Sequence, residues 1–486
     1  MSIHWGPNAE VLEAQARVCT GPHQTRPLGL KPGDPQPQRI LELILHSLGG
    51  RLPLAERVSE AQMGAFFAAM TLRLGFGEKT RWSPAEESAF ARYRSELERQ
   101  LPPSVRFLMD LREDYEPETD ADRLVVAALR QILRGHHLEY ERARQVLEAV
   151  LSGQVQEALQ AAVLIGQRMN LESYDEVRAY LDAVRGPEQV VPVAVENLTH
   201  WGQPFDGATR YFRPTLFVAA VRAALGRASV LHGAPTMPPK MGVTEEAVLE
   251  AVGARTDLTM SQAVTLIEDT DVGFAYVSQR LYAPGLYRLM TLRHHIKKRP
   301  PWATTEKSQQ LFGAQSANYM VCGFYHSGYE ETLLNLMWER AFQAGLVIKG
   351  QEGSSHYALR LGKPSDTRRK AVNYAGGFHR VGTQRHDFEV DVDPRQWGLF
   401  YDQDPRPATV SAQAFAQLGW DALCGQPGPV FDAIVLNVGM TDHLLGLCPD
   451  PGLALAEARE AIDSGAALGR LKAYIEKSRR LAQSVA

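Results

Sequence analysis

The feature that most constrains this chain is a change of sequence grammar near residue 190. Beyond it, short apolar runs (VVPVAV, ASVLHG, GFAYVSQ, ANYMVCGFY, GLVIKG and AIVLNVG) alternate with helix-like stretches such as LFVAAVRAAL and EEAVLEAVGA. Short apolar runs set between helices indicate strands of a sheet that is covered by helices on its faces. ALAEAREAIDSG and AALGRLKAYIEKSRR close the chain as capping helices. Residues 188–486 are therefore expected to form an α/β domain with a mixed or parallel central sheet. Within it, the alternation in FHRVGTQRHDFEVDVD predicts a strand pair.

Before that point the period is helical. Ile40, Leu41, Ile44, Leu45 and Leu48 run into Gly49-Gly50, and a second helix carrying Met63, Phe66, Phe67 and Met70 starts at a capping Ser59. Some 90 residues on, Leu129, Ile132 and Leu133 run into Gly135, and Ala143, Val146, Leu147 and Val150 into Gly153. The repeated grammar reads as a duplicated helical unit, 38–120 and 121–187, forming a small helical-bundle domain with the carboxyl helix of the chain nearby. RSELERQLPPSV and LREDYEPETDAD read as connection and solvated surface. Pro22, Pro27, Pro32, Pro35 and Pro37 mark residues 1–37 as an extended proline-rich arm.

Composition removes some functions. With 52 basic against 56 acidic residues, the formal charge of −4 gives no global attraction to nucleic acid or to an anionic membrane, so any anion site must be local. No stretch reaches the roughly 18 apolar residues of a membrane span, and the start lacks a secretory signal's grammar, so a cytoplasmic location is expected. Cys19, Cys322, Cys424 and Cys448 lie far apart and read as small buried hydrophobes.

Several segments together resemble one family. VFDAIVLNVGMTDHLLGLCPDPGLALAEAREAIDSGAALGRLKAYIE is similar to the carboxyl end of anthranilate phosphoribosyltransferases, with Asn437, Asp463, Ser464 and Gly465 in place, and AIVLNVG taken as its buried strand. LRQILRGHHLEYERARQVLEAVLSGQVQEALQAAVLIGQRMNLESYDEV resembles the family's helical amino-terminal domain, and His232-Gly233 followed by VLEAVGA its strand–turn–helix. The resemblance covers roughly residues 125–480. It implies the phosphoribosyltransferase type of fold, a ligand cleft between the domains, a homodimer, and phosphoribosyl transfer with magnesium.

The motifs that would do this work depart from the family's. Its Gly-Thr-Gly-Gly-Asp phosphate loop corresponds to GQPFDGATR, which keeps Gly202, Asp206 and Gly207 but inserts Gln203, Pro204 and Phe205; proline has no N–H to offer a phosphate. The adjacent acids that hold Mg2+ correspond to Ser355 and His356, leaving Glu352 as the one hard charged ligand nearby, so magnesium is expected only weakly. These departures resemble a divergent branch, paralogues outside tryptophan biosynthesis, some of which bind nucleic acid. Gly207-Ala208-Thr209-Arg210, Lys307 and Gly350-Gln351-Glu352-Gly353 match that branch.

The expected ligand-binding residues are accordingly Asp206, Gly207, Thr209, Arg210, Arg213, Thr215, His232, Gly233, Arg293 and Lys307. Arg210 and Arg213 precede a helix that Thr215 could cap, so a phosphate would meet a helix amino terminus and two guanidinium groups. Arg293 matches the arginine that faces the anthranilate carboxylate. It lies in the densest basic run, Arg288 to Arg299, which could contact nucleic-acid phosphates. Three functions stand open: a glycosyl or phosphoribosyl transferase acting on a phosphorylated small molecule such as phosphoribosyl diphosphate; a non-catalytic nucleotide or nucleic-acid binding protein using the same cleft; and a protein-interaction scaffold.

Overall fold

The computed structural model describes residues 6–361 and 371–483. The chain divides into two compact units, one of Met1–Val184 with Gly285–Ala303 and one of Arg185–Pro284 with Thr304–Ala486.

The first unit is helical. Ser59 caps the helix Glu60–Arg73 as expected, with Gln62 returning the bond to the cap, and Gly50, Gly135 and Gly153 take the left-handed conformation that ends their helices. Helix Glu60–Arg73 lies against helix Glu157–Asn170 so closely that a Cβ on Gly64 would come within 2.1 Å of the Ala158 carbonyl oxygen. The region 38–120 and the family-like helices thus share one core. Arg73 and Glu86, both fully buried, form a two-bonded ion pair at 2.7 and 2.8 Å, and Glu86 also accepts the Ser83 and Leu28 amides.

Two expectations are corrected in this unit. The stretch taken for an extended arm contains the helix Ala9–Val18, a proline-free segment between Pro7 and Pro22; residues 1–5 of the arm lie outside the described residues. RSELERQ is no connection but the end of helix Pro84–Gln100, anchored by the buried Leu97. The segment Gly285–Ala303 also belongs here: Trp302 Nε1 donates to the Tyr180 carbonyl at 3.0 Å, and the Lys297 amide donates to Gln15 Oε1 at 3.0 Å.

Among the described residues the second unit has nine strands: β1 (Val191–Pro192), β2 (Asn197–Gly202), β3 (Ala228–Gly233), β4 (Phe274–Ser278), β5 (Phe312–Gly313), β6 (Ala317–Gly323), β7 (Ala344–Ile348), β8 (Tyr374–Val381) and β9 (Gln384–Asp391). β1 and β5 form a short parallel pair, and the other seven form one mixed sheet in the order β4-β3-β2-β6-β7-β8-β9. The first five of these run parallel and, β2 apart, are apolar over most of their length, while β8 and β9 form the expected strand pair as an antiparallel hairpin. Helix Thr215–Ala224, almost wholly buried, packs against β3 and against the carboxyl-terminal helix Ala466–Gln483, which therefore sits within this unit.

AIVLNVG is helical, not a strand: it is the middle of the 16-residue helix Pro429–Leu444. That helix is apolar all round because it is buried all round, so its sequence carries no helical stripe. No described helix is long and apolar enough to cross a membrane.

Candidate functional site

The connections from β2 to β3 and β4 step one way along the sheet, and those through β6 and β7 step the other. Such a reversal opens a crevice beyond the carboxyl ends of the two central strands, where sheets of this kind bind ligands. The segments that leave β2, β6 and β7 at that edge contain Gln203 to Thr215, Phe324-Tyr325 and Gly350 to His356, and His232-Gly233 end β3 there. Most of the expected site residues are therefore gathered at one edge of the second unit.

The strongest local feature is Glu352. It holds left-handed backbone angles (φ 55°, ψ 21°), unusual for a side chain with a Cβ, and its carboxylate is almost fully buried. That carboxylate accepts four hydrogen bonds from one turn of the β2 loop: from the Thr209 amide at 3.1 Å, the Thr209 hydroxyl at 2.8 Å, the Arg210 amide at 3.1 Å and the Tyr211 amide at 3.2 Å. Successive amides that converge on one point form an anion-binding nest. Lys240 Nζ lies 3.9 Å and Arg210 Nε 4.0 Å from the same carboxylate. Burial works to raise the Glu352 carboxyl, but the bonds from Thr209 and Tyr211 and the charge of Lys240 outweigh it and hold the group below its ordinary range.

A second, uncharged network lies deeper. The Gln203 side-chain amide donates to the Ser355 hydroxyl and, at 2.9 Å, to His356 Nε2, and its carbonyl accepts the Ser355 amide at 3.2 Å. Thr215 Oγ1 is 2.7 Å from the same imidazole nitrogen and donates to Glu245 at 3.2 Å. Burial, with the nearby Arg213 charge, pushes the His356 imidazole down to about 3, so it is neutral in ordinary buffers. Asn437 fixes the following backbone, accepting the Tyr357 amide at 2.7 Å and donating to the Tyr357 carbonyl at 3.1 Å.

Several expectations change here. Glu352 is not a free metal ligand, because both its oxygens are engaged by the nest. Arg213 does not face outward toward a phosphate: it is buried and donates to the carbonyls of Pro204 (3.1 Å) and Gly207 (2.8 Å), closing the loop on itself. Thr215 does not cap its helix, whose cap position is Pro214 with no side-chain bond. Arg210, with 57% of its side chain exposed, remains open to solvent.

Asp206 lies 3.5 Å from Lys240, and Gly207 (φ 75°) packs so tightly on Gly242 that a Cβ would approach it to 2.5 Å. His232 is buried between the rings of Phe205 and Tyr282, with neither ring nitrogen hydrogen-bonded, and burial pushes it down to about 3. The neighbouring Gly233 ends β3, where a Cβ would come 3.0 Å from the Tyr276 hydroxyl. Lys307 is buried and donates to the Gly323 carbonyl at the end of β6.

Arg293 lies in the helical unit and is buried there. Its basic run is not one solvated face: His295 is buried against Ser59, and Arg288 donates to the Leu151 carbonyl. Lys240 and Glu245 were missed by sequence reasoning; a lone lysine after Pro238-Pro239 and a glutamate opening a helix carry no signal without the fold.

A helical unit and an α/β unit whose loops gather amides, hydroxyls and cations at the switch edge of a mixed sheet define a protein of the phosphoribosyltransferase fold. Residues 126–186 match the model of the glycosyl transferase family, helical bundle domain. The chain is 24% identical over 355 residues to the anthranilate phosphoribosyltransferase of Stenotrophomonas maltophilia, covering 73% of this chain and 97% of that protein. It shares the fold of the Thermus thermophilus anthranilate phosphoribosyltransferase (TM-score 0.57, 22% identity, 74% and 100% covered). It also shares that of the Saccharomyces cerevisiae enzyme solved in complex with PRPP and Mg (TM-score 0.56, 14% identity, 74% and 99% covered). By these matches the chain resembles the anthranilate phosphoribosyltransferases and shares their fold.

At Ser355 and His356 the donors do not suit magnesium. This ion wants several hard, preferably charged oxygens in octahedral array, and Ser355 and His356 supply a hydroxyl and a neutral imidazole, both already bonded to Gln203. Among the described residues, no group of three or more His, Cys, Asp or Glu side chains is arranged to hold a metal.

Proposed function

We propose that this protein is a phosphoribosyltransferase-family member that takes a phosphorylated small molecule, phosphoribosyl diphosphate or a related sugar phosphate, at the carboxyl edge of β2, β3, β6 and β7, and does so without a magnesium grip of its own. The observation that carries this reading is the neutral Gln203–Ser355–His356–Thr215 network in place of paired acids. Diphosphate departure in such transfers depends on electrostatic stabilisation of developing charge, and removing one such contributor typically costs about 10²–10³ in rate. Transfer to anthranilate is therefore expected to be slower than in a paired-acid relative by at least that factor.

The loops Gly207 to Arg210 and Gly350 to Gly353 support placing the chain in the divergent branch outside tryptophan biosynthesis. A homodimer is part of the same reading, to be read from mass in solution. The nucleic-acid alternative draws no support from the basic run, whose members are partly buried.

The test is a calorimetric titration of phosphoribosyl diphosphate into the full chain, with magnesium and with a chelator, alongside an anthranilate transfer assay. Binding that changes less than about threefold with magnesium is expected. Binding seen only with magnesium, accompanied by rapid turnover, would overturn the reading.

A further inference from the structure

We infer that the amide nest at Thr209–Tyr211 is an anion-binding site whose resident occupant is the Glu352 carboxylate, and that a phosphate group of the ligand binds there by displacing it. The inference takes only its ligand class from the proposed function.

Four features carry it. Three consecutive amides and a hydroxyl converge on a single carboxylate, an anion-binding concavity of the kind that also accepts a phosphate or sulfate. Two cations, Lys240 and Arg210, stand about 4 Å from the same point, with Asp206 beside Lys240, and Arg210 keeps a largely exposed side chain with which to meet an incoming anion.

The carboxylate is delivered by a left-handed residue, a strained conformation for a side chain with a Cβ that is relieved if the loop moves. The loop is bounded by Gly350 and Gly353. Gly353 is itself left-handed (φ 78°), and at Gly350 a Cβ would meet the Ser354 carbonyl oxygen at 2.3 Å, so the turn is one that glycines alone permit. Finally, the nest follows β2 at the switch edge of the sheet, where the ligand is expected.

A seated carboxylate lowers the apparent affinity of any other anion by the fraction of time the nest is open. Glu352→Gln keeps the shape and removes the charge. With inorganic diphosphate as the probe, in chelator, at neutral pH, the E352Q protein is expected to bind at least about tenfold more tightly than the wild type. Glu352→Asp, which keeps the charge but shortens the reach, should fall between them.

An E352Q protein that melts cooperatively yet binds diphosphate no better than wild type overturns the inference. Should E352Q fail to fold, a wild-type crystal soaked in diphosphate decides. An anion among the 209–211 amides with Glu352 turned away supports it, and Glu352 still seated with diphosphate elsewhere overturns it. The two proposals separate cleanly: a gain for inorganic diphosphate in E352Q without any phosphoribosyl diphosphate binding leaves this inference standing and sinks the proposed function. Phosphoribosyl diphosphate binding that E352Q does not alter does the reverse.

Discussion

Asp442→Asn should be among the most damaging conservative substitutions in the second unit. Arg222 and Asp442 are both fully buried, bonded Nε to Oδ1 at 2.7 Å. The same guanidinium donates to Ser229 Oγ on β3 at 2.8 Å and Thr199 Oγ1 on β2 at 2.9 Å, so one side chain ties helix Thr215–Ala224 to two strands and to helix Pro429–Leu444. Arg227 supplies Asp442's other oxygen with a bond at 2.7 Å. Asparagine removes the charge that compensates Arg222 and keeps one acceptor oxygen, so its NH2 must face the donor of either Arg222 or Arg227. Breaking a buried pair from one side costs about 3–5 kcal/mol, against a total stability of about 5–15 kcal/mol.

At about 2–4 °C per kcal/mol for a domain near this size, the melting temperature should fall by on the order of 10 °C. Urea unfolding followed by circular dichroism gives the free energy directly. The double variant Arg222→Met with Asp442→Leu removes both charges at once, so it should cost less than the sum of the single changes by about 2 kcal/mol. A D442N cost below about 1 kcal/mol, or strict additivity, would refute the view that this charge pair locks the helix to the sheet.

Three further outcomes are expected. Because the Glu352 carboxyl is held below its ordinary 4.5, its contribution to stability is present above that pH and disappears as pH falls through the lowered value; the stability difference between wild type and E352Q should therefore shrink as pH falls below 4.5, as read from melting curves across pH. Gly64→Ala should destabilise the helical unit by about 1–3 kcal/mol in denaturant titration, since the new methyl would overlap the Ala158 backbone, and a neutral result would mean the two helices separate easily. A thiol reagent should modify Cys424 in the folded protein, the exposed member of the four and a correction to their expected burial, while Cys19 and Cys322, pushed up to about 12 by burial, react only on unfolding; peptide mapping separates them.

The helices of the first unit were legible because periodic apolar residues and glycine stops are local signals. β2 was not. Its polar members, Asn197, Thr199 and His200, hide a buried strand, since the His200 ring nitrogens lie 3.2 and 3.0 Å from the carbonyls of Tyr319 and Phe312, and Thr199 accepts from Arg222. Those partners stand more than a hundred residues away for the histidine, so no window of sequence reveals that the polarity is satisfied. The helix Pro429–Leu444 failed in the opposite way: seven apolar-rich residues suit a buried strand or a buried helix equally, and only the flanking length and Pro429 at the first turn favour the helix.

The site shows the same limit more sharply. Sequence reading singled out Glu352 but assigned its role from residue type: a carboxylate beside a phosphate loop reads as a metal ligand. What decides its chemistry is the direction of three amides 141 to 143 residues earlier in the chain. A carboxylate facing metal is an electron donor waiting for a cation, whereas one seated in amides is itself the guest. The same residue that suggested weak magnesium binding thus becomes the competitor of the phosphate. Acids placed at 355 and 356 alone should therefore not produce magnesium-dependent binding while Glu352 keeps its seat.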